Sequence, residues 1–218
     1  MRLQIGLKRC TLKKIKLKKI KLAICTPSAG YVRVEFTETM INLSKALSKD
    51  KDVLDHKFFY ICGSVIPYNR QWTVEQAILW GATHVLFVDD DMSFPPQAVK
   101  ELLKNKQYPI IAANCVKRVF PKEFMSRWFD GSEVVTNKDS SGVVEVMGTG
   151  NALCLIDIGV FGVVSKPWFA FPYIPETGGF NTEDIFFQEK ARQCGIGTFI
   201  CHGASKDVKH IGVHTYGM

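Results

Sequence analysis

The stretch that decides the fold runs from Thr83 to Asp91 and reads Thr-His-Val-Leu-Phe-Val-Asp-Asp-Asp. Its first six residues are rich in β-branched and aromatic side chains, which is typical of a strand buried in a parallel sheet. Three carboxylates follow directly, at the carboxyl end of the predicted strand. Ligands of open α/β sheets bind outside such carboxyl ends, so we expect the chemistry of this protein at Asp89, Asp90 and Asp91.

Short apolar runs alternate with helical patterns on both sides of this strand. The alternation predicts an α/β fold with a mostly parallel central sheet flanked by helices. Prolines at the start of a helix and a glycine after its end mark the boundaries. The predicted elements are strands at Leu22–Cys25, Lys57–Ile61 and Pro109–Asn114, and helices at Glu35–Leu47, at Gln71–Trp80 before Gly81, and after Pro95 and Pro96.

The second half of the sequence has a different pattern. Glu133–Val135 and Val143–Val146 flank a polar turn, which predicts a small antiparallel hairpin. The run Pro167–Gly179, rich in aromatics, proline and glycine, is interpreted as a surface loop or a wall of the substrate site. Glu183–Cys194 has a helical pattern that ends at Gly195.

Composition limits the class of protein. The chain has 218 residues, of which 46% are hydrophobic and 22% charged, and this excludes disorder and coiled coil. No apolar run approaches the roughly 18 residues that cross a bilayer, and no secretory signal is visible, so we expect a soluble, cytoplasmic protein. Seven cysteines without Cys-x-x-Cys spacing predict reduced, mostly buried thiols.

The net charge of +7 is concentrated at the N-terminus. Residues 1–21 contain nine basic residues and no acidic one, which leaves 19 basic against 21 acidic residues in 22–218. Lys-Lys-Ile-Lys-Leu occurs twice in tandem, and a five-residue period suits neither helix nor strand. We interpret 1–21 as a flexible leader and 22–218 as one domain. Contact of the leader with an anionic membrane surface or with nucleic acid is the alternative.

The three adjacent aspartates favour a divalent metal. Ionised carboxylates repel one another, and a hard cation relieves that repulsion. If the strand geometry continues, Asp89 and Asp91 share one face and Asp90 the other. A solvated acidic loop or a helix cap remains the alternative interpretation.

Two more groups are candidates for function. Glu183 and Asp184 follow Asn181 and Thr182 before a helix, where they stabilise the helix N-terminus or receive the proton of an acceptor hydroxyl. Among His202, His210 and His214, His210 lies next to apolar residues in Val208–Gly212 and suits either a metal site or a core position. Arg70, Lys117 and Arg118 are candidate phosphate contacts or solvated charges.

Together these motifs resemble the GT-A family of nucleotide-sugar glycosyltransferases. In detail they resemble small glycosyltransferases encoded by large DNA viruses of algae (chloroviruses) and by phages. The resemblance spans nearly everything after residue 22 and implies a Rossmann-like GT-A fold. It rests on Ala23–Pro27, Arg70, Val85–Met92, Gly148–Gly150, Thr182–Asp184 and Lys209–Gly212.

The resemblance also implies an activity and its residues. It implies transfer of a hexose from a nucleotide sugar, with UDP as the expected nucleotide, to a hydroxyl of a glycan, including a glycan on a glycoprotein. Mn²⁺ or Mg²⁺ is the implied cofactor, and no specific nucleic acid is expected as a partner. The implied metal ligands are Asp89, Asp91 and His210; the donor contacts are Thr26, Pro27, Arg70, Asp89, Asp90, Gly148, Thr149 and Gly150; Glu183 and Asp184 are the catalytic residues facing the acceptor.

Other functions remain open at this point. A nucleotidyltransferase also uses paired aspartates and metal, but its glycine-rich, lysine-bearing loop is not visible near Thr26. A non-catalytic module that binds sugar or nucleic acid is the second alternative. The basic leader is no part of the family pattern, and the sequence ends eight residues after His210. Residues 22–218 are therefore also compatible with the N-terminal part of a longer protein.

Overall fold

The computed structural model describes residues 19–212. The predicted leader lies outside the described residues up to residue 18, as do Cys10 and His214. The elements in chain order are β1 (Ile20–Ser28), α1 (Val34–Leu47), β2 (Val53–Cys62), α2 (Ile66–Trp80), β3 (His84–Val88), β4 (Met92–Ser93), α3 (Pro96–Lys104), β5 (Ile110–Ala112), β6 (Val143–Val146), β7 (Leu153–Asp157), α4 (Val160–Val163), β8 (Tyr173–Ile174), β9 (Gly179–Phe180), α5 (Glu183–Gln193), β10 (Thr198–Cys201), α6 (His202–Ser205) and β11 (Lys209–His210).

A seven-stranded sheet forms the centre of the molecule, in the order β2-β1-β3-β7-β5-β10-β6. Strands β1, β2, β3, β5 and β10 run in one direction, while β7 and β6 run against their neighbours. The prediction of a mostly parallel α/β sheet is confirmed. Two small antiparallel pairs, β11 with β4 and β8 with β9, lie outside it.

Helices cover both faces of the sheet because the buried strands are apolar on both sides. Leu22 and Ile24 of β1 pack on the face that carries α1 and α3, in one buried cluster with Phe36. Ala23 and Cys25 pack on the opposite face, which carries α2 and α5. These two layers fix the ends of the strands, and therefore the site, in a rigid frame.

The predicted boundaries hold for some elements and shift for others. Helix α5 begins at Glu183 and ends at Gln193, with Gly195 in the left-handed conformation at φ 77°. Strand β1 begins at Ile20, two residues before the predicted start, and β2 begins at Val53. Helix α2 begins at Ile66, so Arg70 lies inside the helix rather than before it.

The predicted hairpin between Glu133–Val135 and Val143–Val146 is wrong. Strand β6 pairs instead with β10 at the sheet edge. Val134 donates its backbone N–H to Ser126, and its side chain packs with Val146 and Ile200 in a small buried cluster. The two segments therefore contact each other through buried apolar side chains, and their backbones do not pair as strands.

The interpretation of Pro167–Gly179 as a surface loop is wrong for its first part. Trp168 and Phe169 are buried, and Phe169 packs against Phe87 and Phe187 with ring centroids 5.6 and 5.1 Å apart. Aromatic residues in this segment extend the core because α4 and α5 leave space for them. Beyond it, β8 and β9 form an exposed hairpin.

Most of the cysteines in the described residues are buried, as predicted. Cys25, Cys115, Cys154 and Cys201 are buried free thiols, whereas Cys62 and Cys194 are exposed. Within residues 19–212, no helix is long and apolar enough to cross a membrane.

Candidate active site

The candidate site lies at the carboxyl edge of the central strands. Strand β3 ends at Val88, and the antiparallel β7 starts at the same edge, because Val88 pairs with Leu153. The segment 148–151 therefore arrives beside Asp89, whose backbone N–H donates to Ala152. Helices α2 and α5 bring Arg70 and the pair Glu183 and Asp184 to the same place.

Arg70 is the centre of this cluster. Its side chain is 3% exposed, and it donates from Nη2 to Asp89 Oδ1 and from Nε to Glu183 Oε1, both at 3.0 Å. Asp184 Oδ1 lies 3.5 Å from the same Nε. The guanidinium also lies 5.1 Å from the ring centre of Phe87. One buried cation thus faces three carboxylates from two separate elements.

This imbalance shifts the pKa values of the cluster. Burial alone would lower the pKa of Arg70, but Asp89, Asp184 and Glu183 raise it. Burial raises the pKa of Asp89 against the opposing charge of Arg70, and Asp91 and Glu183 raise it further. For the same reasons burial raises the pKa of Asp184 to about 7. Asp184 therefore exists in both protonation states near neutral pH.

Unmatched polar atoms are concentrated here. Within the described part of the chain, five buried side-chain atoms have no hydrogen-bond partner, and four of them lie at this edge: Thr26 Oγ1, Arg70 Nη1, Asn151 Nδ2 and Asp184 Oδ1. Each such atom costs about 1–3 kcal/mol when it stays unpaired. A cluster of buried donors and acceptors without partners favours a site that binds a polar ligand.

The segment 148–151 is fixed by helix α5. Gln188 holds both backbone groups of Thr149, accepting from its N–H at 2.9 Å and donating to its carbonyl at 2.8 Å. Asn151 donates its backbone N–H to Asp184 Oδ2 at 3.1 Å, and its side-chain oxygen accepts from Gln188. This arrangement places Asp184 while leaving Oδ1 without a hydrogen bond.

The two glycines of this segment lie against side chains. A Cβ on Gly148 would lie 2.6 Å from Cδ1 of Ile185, and one on Gly150 would lie 2.7 Å from Cε of Met125. Thr149 is fully buried, and its hydroxyl pairs with Ser126 at 2.7 Å. Close packing is one physical reason for these glycines, and room for a transferred sugar stays a prediction.

The aspartates do not follow the expected strand geometry. Strand β3 stops at Val88, and residues 89–92 form a turn closed by the hydrogen bond from Met92 N to the carbonyl of Asp89. Asp89 therefore points to Arg70, while Asp91 bonds His210 Nε2 at 3.1 Å and Arg118 Nη1 at 2.8 Å. Asp90 lies half-buried between them.

His210 is brought to Asp91 by strand pairing. Strand β11 pairs with β4, which places His210 opposite Met92, next to Asp91 in sequence. The hydrogen bond with Asp91 raises the pKa of His210, helped by the Val116 carbonyl, which lies 2.8 Å from Nδ1. Burial opposes ionisation of Asp91, but its contacts with His210 and Arg118 lower its pKa.

Asp91 and His210 have the chemistry of a site for Mn²⁺ or Mg²⁺. The Val116 carbonyl and the Asp91 carboxylate both only accept, so Nδ1 and Nε2 of His210 each carry a hydrogen in this arrangement. A metal ion bound between Asp91 and His210 would take the place of the hydrogen on Nε2. An imidazole held in this way through its other nitrogen is the usual second contact of a metal-binding histidine. Across residues 19–212, no group of three or more His, Cys, Asp or Glu side chains is arranged to hold a metal ion. The assignment of Asp89 as a third ligand stays a prediction.

Other predicted residues lie nearby or elsewhere. Thr26 and Pro27 are buried at the end of β1, between β2 and β3. Lys117 pairs with Glu123 at 2.6 Å, so it is not free for phosphate. His202 Nδ1 lies 2.8 Å from Thr136 Oγ1, so His202 belongs to a different hydrogen-bond group from Asp91 and His210.

Sequence reasoning missed Asn151 and Gln188. Gln188 lies four residues after Asp184, so the two share a face of α5, and that spacing was the available signal. Asn151 follows Gly150 directly, at the end of the Gly148–Gly150 motif. Its contact with Asp184 depends on the direction of β7.

Two solved structures share this fold. The crystal structure of A197 from STIV has a TM-score of 0.55 at 13% identity, over 91% of this chain and 97% of that one. The structure of S. aureus TarS 1–349 in complex with UDP-GlcNAc has a TM-score of 0.51 at 12% identity, over 90% of this chain. This chain spans 60% of the length of that TarS fragment.

These likenesses confirm the GT-A-type α/β fold that the motifs predicted. At 12–13% identity they bear on the fold alone. No protein-family model matches the sequence, and neither does any of the curated proteins compared with it. The finer resemblance to enzymes of algal viruses and phages therefore stays a prediction.

Proposed function

We propose that this protein is a glycosyltransferase. It moves a sugar from a nucleotide-sugar donor, with UDP as the nucleotide, to a hydroxyl of a glycan acceptor, with Mn²⁺ or Mg²⁺ as cofactor. The observation that carries the proposal is Asp184, a buried carboxylate with a pKa of about 7 and one oxygen without a hydrogen bond. The shared fold with a protein whose structure contains UDP-GlcNAc supports the choice of donor.

Asp184 has the properties of a general base. In the transfer, the acceptor oxygen bonds to the anomeric carbon, and the bond from that carbon to the diphosphate breaks, with its electron pair leaving on the diphosphate. The acceptor proton goes to Asp184 Oδ1, which has a lone pair available. A pKa near the working pH allows the carboxylate to take this proton and then release it.

Arg70 and Glu183 hold the base in place. Glu183 Oε1 fixes the guanidinium through Nε, and the guanidinium keeps its charge because three carboxylates surround it. Its Nη1 has no partner and is available to a polar group of the donor. Glu183, expected as a catalytic residue, is therefore proposed as a positioning residue.

Asp91 and His210 are the residues that would hold the cation, and Asp89 lies beside them. A divalent cation at this position supplies positive charge that offsets the charge growing on the leaving diphosphate. Asp91 keeps a lowered pKa and stays ionised at neutral pH, as a metal ligand must. Thr26 and Pro27 at the end of β1 are the proposed border of the nucleotide base.

Calorimetric titration of the full chain with UDP, with and without Mn²⁺ and then repeated with GDP, tests the donor site. We expect binding of UDP that requires Mn²⁺ and is lost in Asp91→Ala. Asp139→Ala is the matched control, since Asp139 is an exposed aspartate in the turn at residues 137–140. Absence of binding by both nucleotides under both conditions would contradict the proposal and favour a non-catalytic module.

A further inference from the structure

A basic cleft adjoins the candidate active site. It consists of two cavities of about 610 and 470 Å³ that share Val116 and Lys122 as lining residues. The first cavity reaches His210 and Arg118, and the second reaches Lys138 and Lys206. The cleft thus begins at His210, one of the proposed metal ligands, and continues away from it.

Three lysines of the cleft, Lys122, Lys138 and Lys206, have no carboxylate partner in the described part of the chain, whereas Lys117 pairs with Glu123. Lys206 Nζ donates to the carbonyl of Lys138 at 2.7 Å, and Lys122 Nζ lies 4.6 Å from the ring centre of Phe124. Within residues 19–212, the described ion pairs include no carboxylate partner for Lys122, Lys138 or Lys206. Asp207 is the one acidic residue lining either cavity. These lysines therefore form an excess of positive charge in partly fixed positions.

The floor of the second cavity is rigid and polar. The backbone N–H of Asn114 donates to Ser205 Oγ at 2.8 Å. Its side chain donates to Thr136 Oγ1 at 3.0 Å. All three residues are buried. A fixed floor reduces the entropy that a ligand loses on binding.

The position of the cleft separates it from the proposed nucleotide site. Asn114 follows β5 and Ser205 follows β10, which lie on one side of β3 and β7 in the sheet order. Thr26 and Pro27 end β1, on the other side. The cleft and the end of β1 therefore lie on opposite sides of β3 and β7, so a ligand in the cleft leaves the proposed nucleotide site free.

We propose that the basic cleft binds the acceptor and that this acceptor is a glycan carrying phosphate groups. Compact ammonium groups recognise phosphate as point charges. Three lysines without an ion-pair partner among the described residues line the cleft, and contacts orient the ammonium groups of two of them, Lys122 and Lys206. The assignment rests on the proposed function, because an acceptor presupposes a transfer reaction. It names the class of acceptor that the motifs left unspecified.

Amide NMR of the full chain tests the cleft with glucose 6-phosphate and with glucose, both in EDTA and without donor. We expect glucose 6-phosphate, and not glucose, to shift the amides of Val116, Asn137 and Lys206. Affinity should fall by about tenfold in Lys122→Gln/Lys138→Gln/Lys206→Gln, as expected for loss of exposed charged contacts. The control Lys45→Gln/Lys49→Gln/Lys51→Gln removes the same charge from exposed lysines near the other end of the strands and should bind normally.

Several results would overturn the proposal. Equal shifts with glucose, no shifts, or shifts confined to residues 26–28 and 89–91 would each show that the cleft does not recognise phosphate. Tighter binding of a single-stranded oligonucleotide through the same lysines, at equal phosphate concentration, would assign the cleft to nucleic acid. The basic leader is present in the native chain and in both triple variants, so its contribution to phosphate binding is the same in all three proteins. The titration contains no nucleotide, so its failure leaves the UDP experiment unaffected.

Discussion

Nε2 of His210 lies 3.1 Å from Oδ2 of Asp91, although 119 residues separate them in sequence. The two-residue pairing of β11 with β4 creates this contact, and Ile211 reinforces it by donating its N–H to the carbonyl of Asp91. A short strand late in the chain thus completes a site that begins in the aspartate turn.

Replacing His210 should weaken metal binding more than it weakens the fold. We expect His210→Ala to reduce the affinity for Mn²⁺ by about 10–100-fold or more, because the protein loses a nitrogen ligand. Electron paramagnetic resonance of free Mn²⁺ measures this directly. His56→Ala is the control, since His56 contacts Ser44 on the far edge of the sheet. Equal Mn²⁺ affinity in His210→Ala and the native chain would remove His210 from the site.

Replacing Arg70 should destabilise the protein in a pH-dependent way. Arg70→Met leaves Asp89, Glu183 and Asp184 buried without their cation, and breaking a buried ion pair costs about 3–5 kcal/mol. The loss of stability should be larger at pH 8 than at pH 5, because protonation of the buried carboxylates at lower pH removes the repulsion between them. Urea unfolding at both pH values measures the free energy of unfolding.

The matched control for Arg70 is Lys49→Met, which removes one positive charge from an exposed site. It should change the free energy of unfolding by less than about 0.5 kcal/mol. A loss of stability in Arg70→Met that is the same at pH 5 and pH 8 would contradict the charge argument and indicate lost packing alone.

Asp184→Asn should make the protein more stable above neutral pH and less active. The pKa of Asp184 rises from its ordinary value of 3.8 to about 7 in the folded protein. The native state therefore holds a proton that the unfolded state releases between about pH 4 and 7, and stability contributed by this group falls as pH rises through that window. Asn keeps the neutral form, so we expect the variant to be as stable as the native chain near pH 4 and more stable above pH 7.

The same variant should lose about 10²–10⁴-fold in transfer rate, because a general base is removed. Donor hydrolysis and transfer assays with UDP-sugars measure the rate, and thermal unfolding from pH 4 to 8 measures stability. Asp130→Asn, on an exposed loop, serves as the control for both readouts. A variant that is less stable at pH 8, with undiminished transfer, would contradict both the shifted pKa and the role of base.

The sheet was predictable from sequence where local pattern and burial agree. The run Thr83–Val88 is rich in β-branched and apolar residues, and aspartates follow its carboxyl end, so β3 was unambiguous. The direction of β7 in the sheet was not predictable, because an apolar run is compatible with either parallel or antiparallel pairing. It is set by the long connection after β5, whose 40 residues from 113 to 152 include β6 as their one regular element. The hairpin prediction failed in that connection.

The site was predictable as a set of residues and not as a set of contacts. Arg70, Asp89, Glu183 and Asp184 were each singled out, yet nothing in the sequence places one guanidinium among three carboxylates. That arrangement depends on how α2 and α5 pack on one face of the sheet. The contacts of Asn151 and Gln188 follow from the same packing, and so they were missed.

Gly148→Ala distinguishes the two reasons for a glycine next to helix α5. A Cβ there would lie 2.6 Å from Cδ1 of Ile185, and such overpacking costs about 1–3 kcal/mol. Ile185→Val removes that methyl group, so the double variant should recover most of the stability that Gly148→Ala loses. Urea unfolding of the four proteins of this double-mutant cycle gives the coupling energy.

Gly162→Ala is the control for this cycle, because a Cβ at Gly162 meets nothing within 4 Å. It should leave the free energy of unfolding nearly unchanged. If Gly148→Ala instead unfolds like the native chain but no longer binds a UDP-sugar, the glycine provides room for the transferred sugar. Additive losses in the double variant would contradict the packing explanation, since a shared contact with Ile185 requires the two substitutions to be coupled.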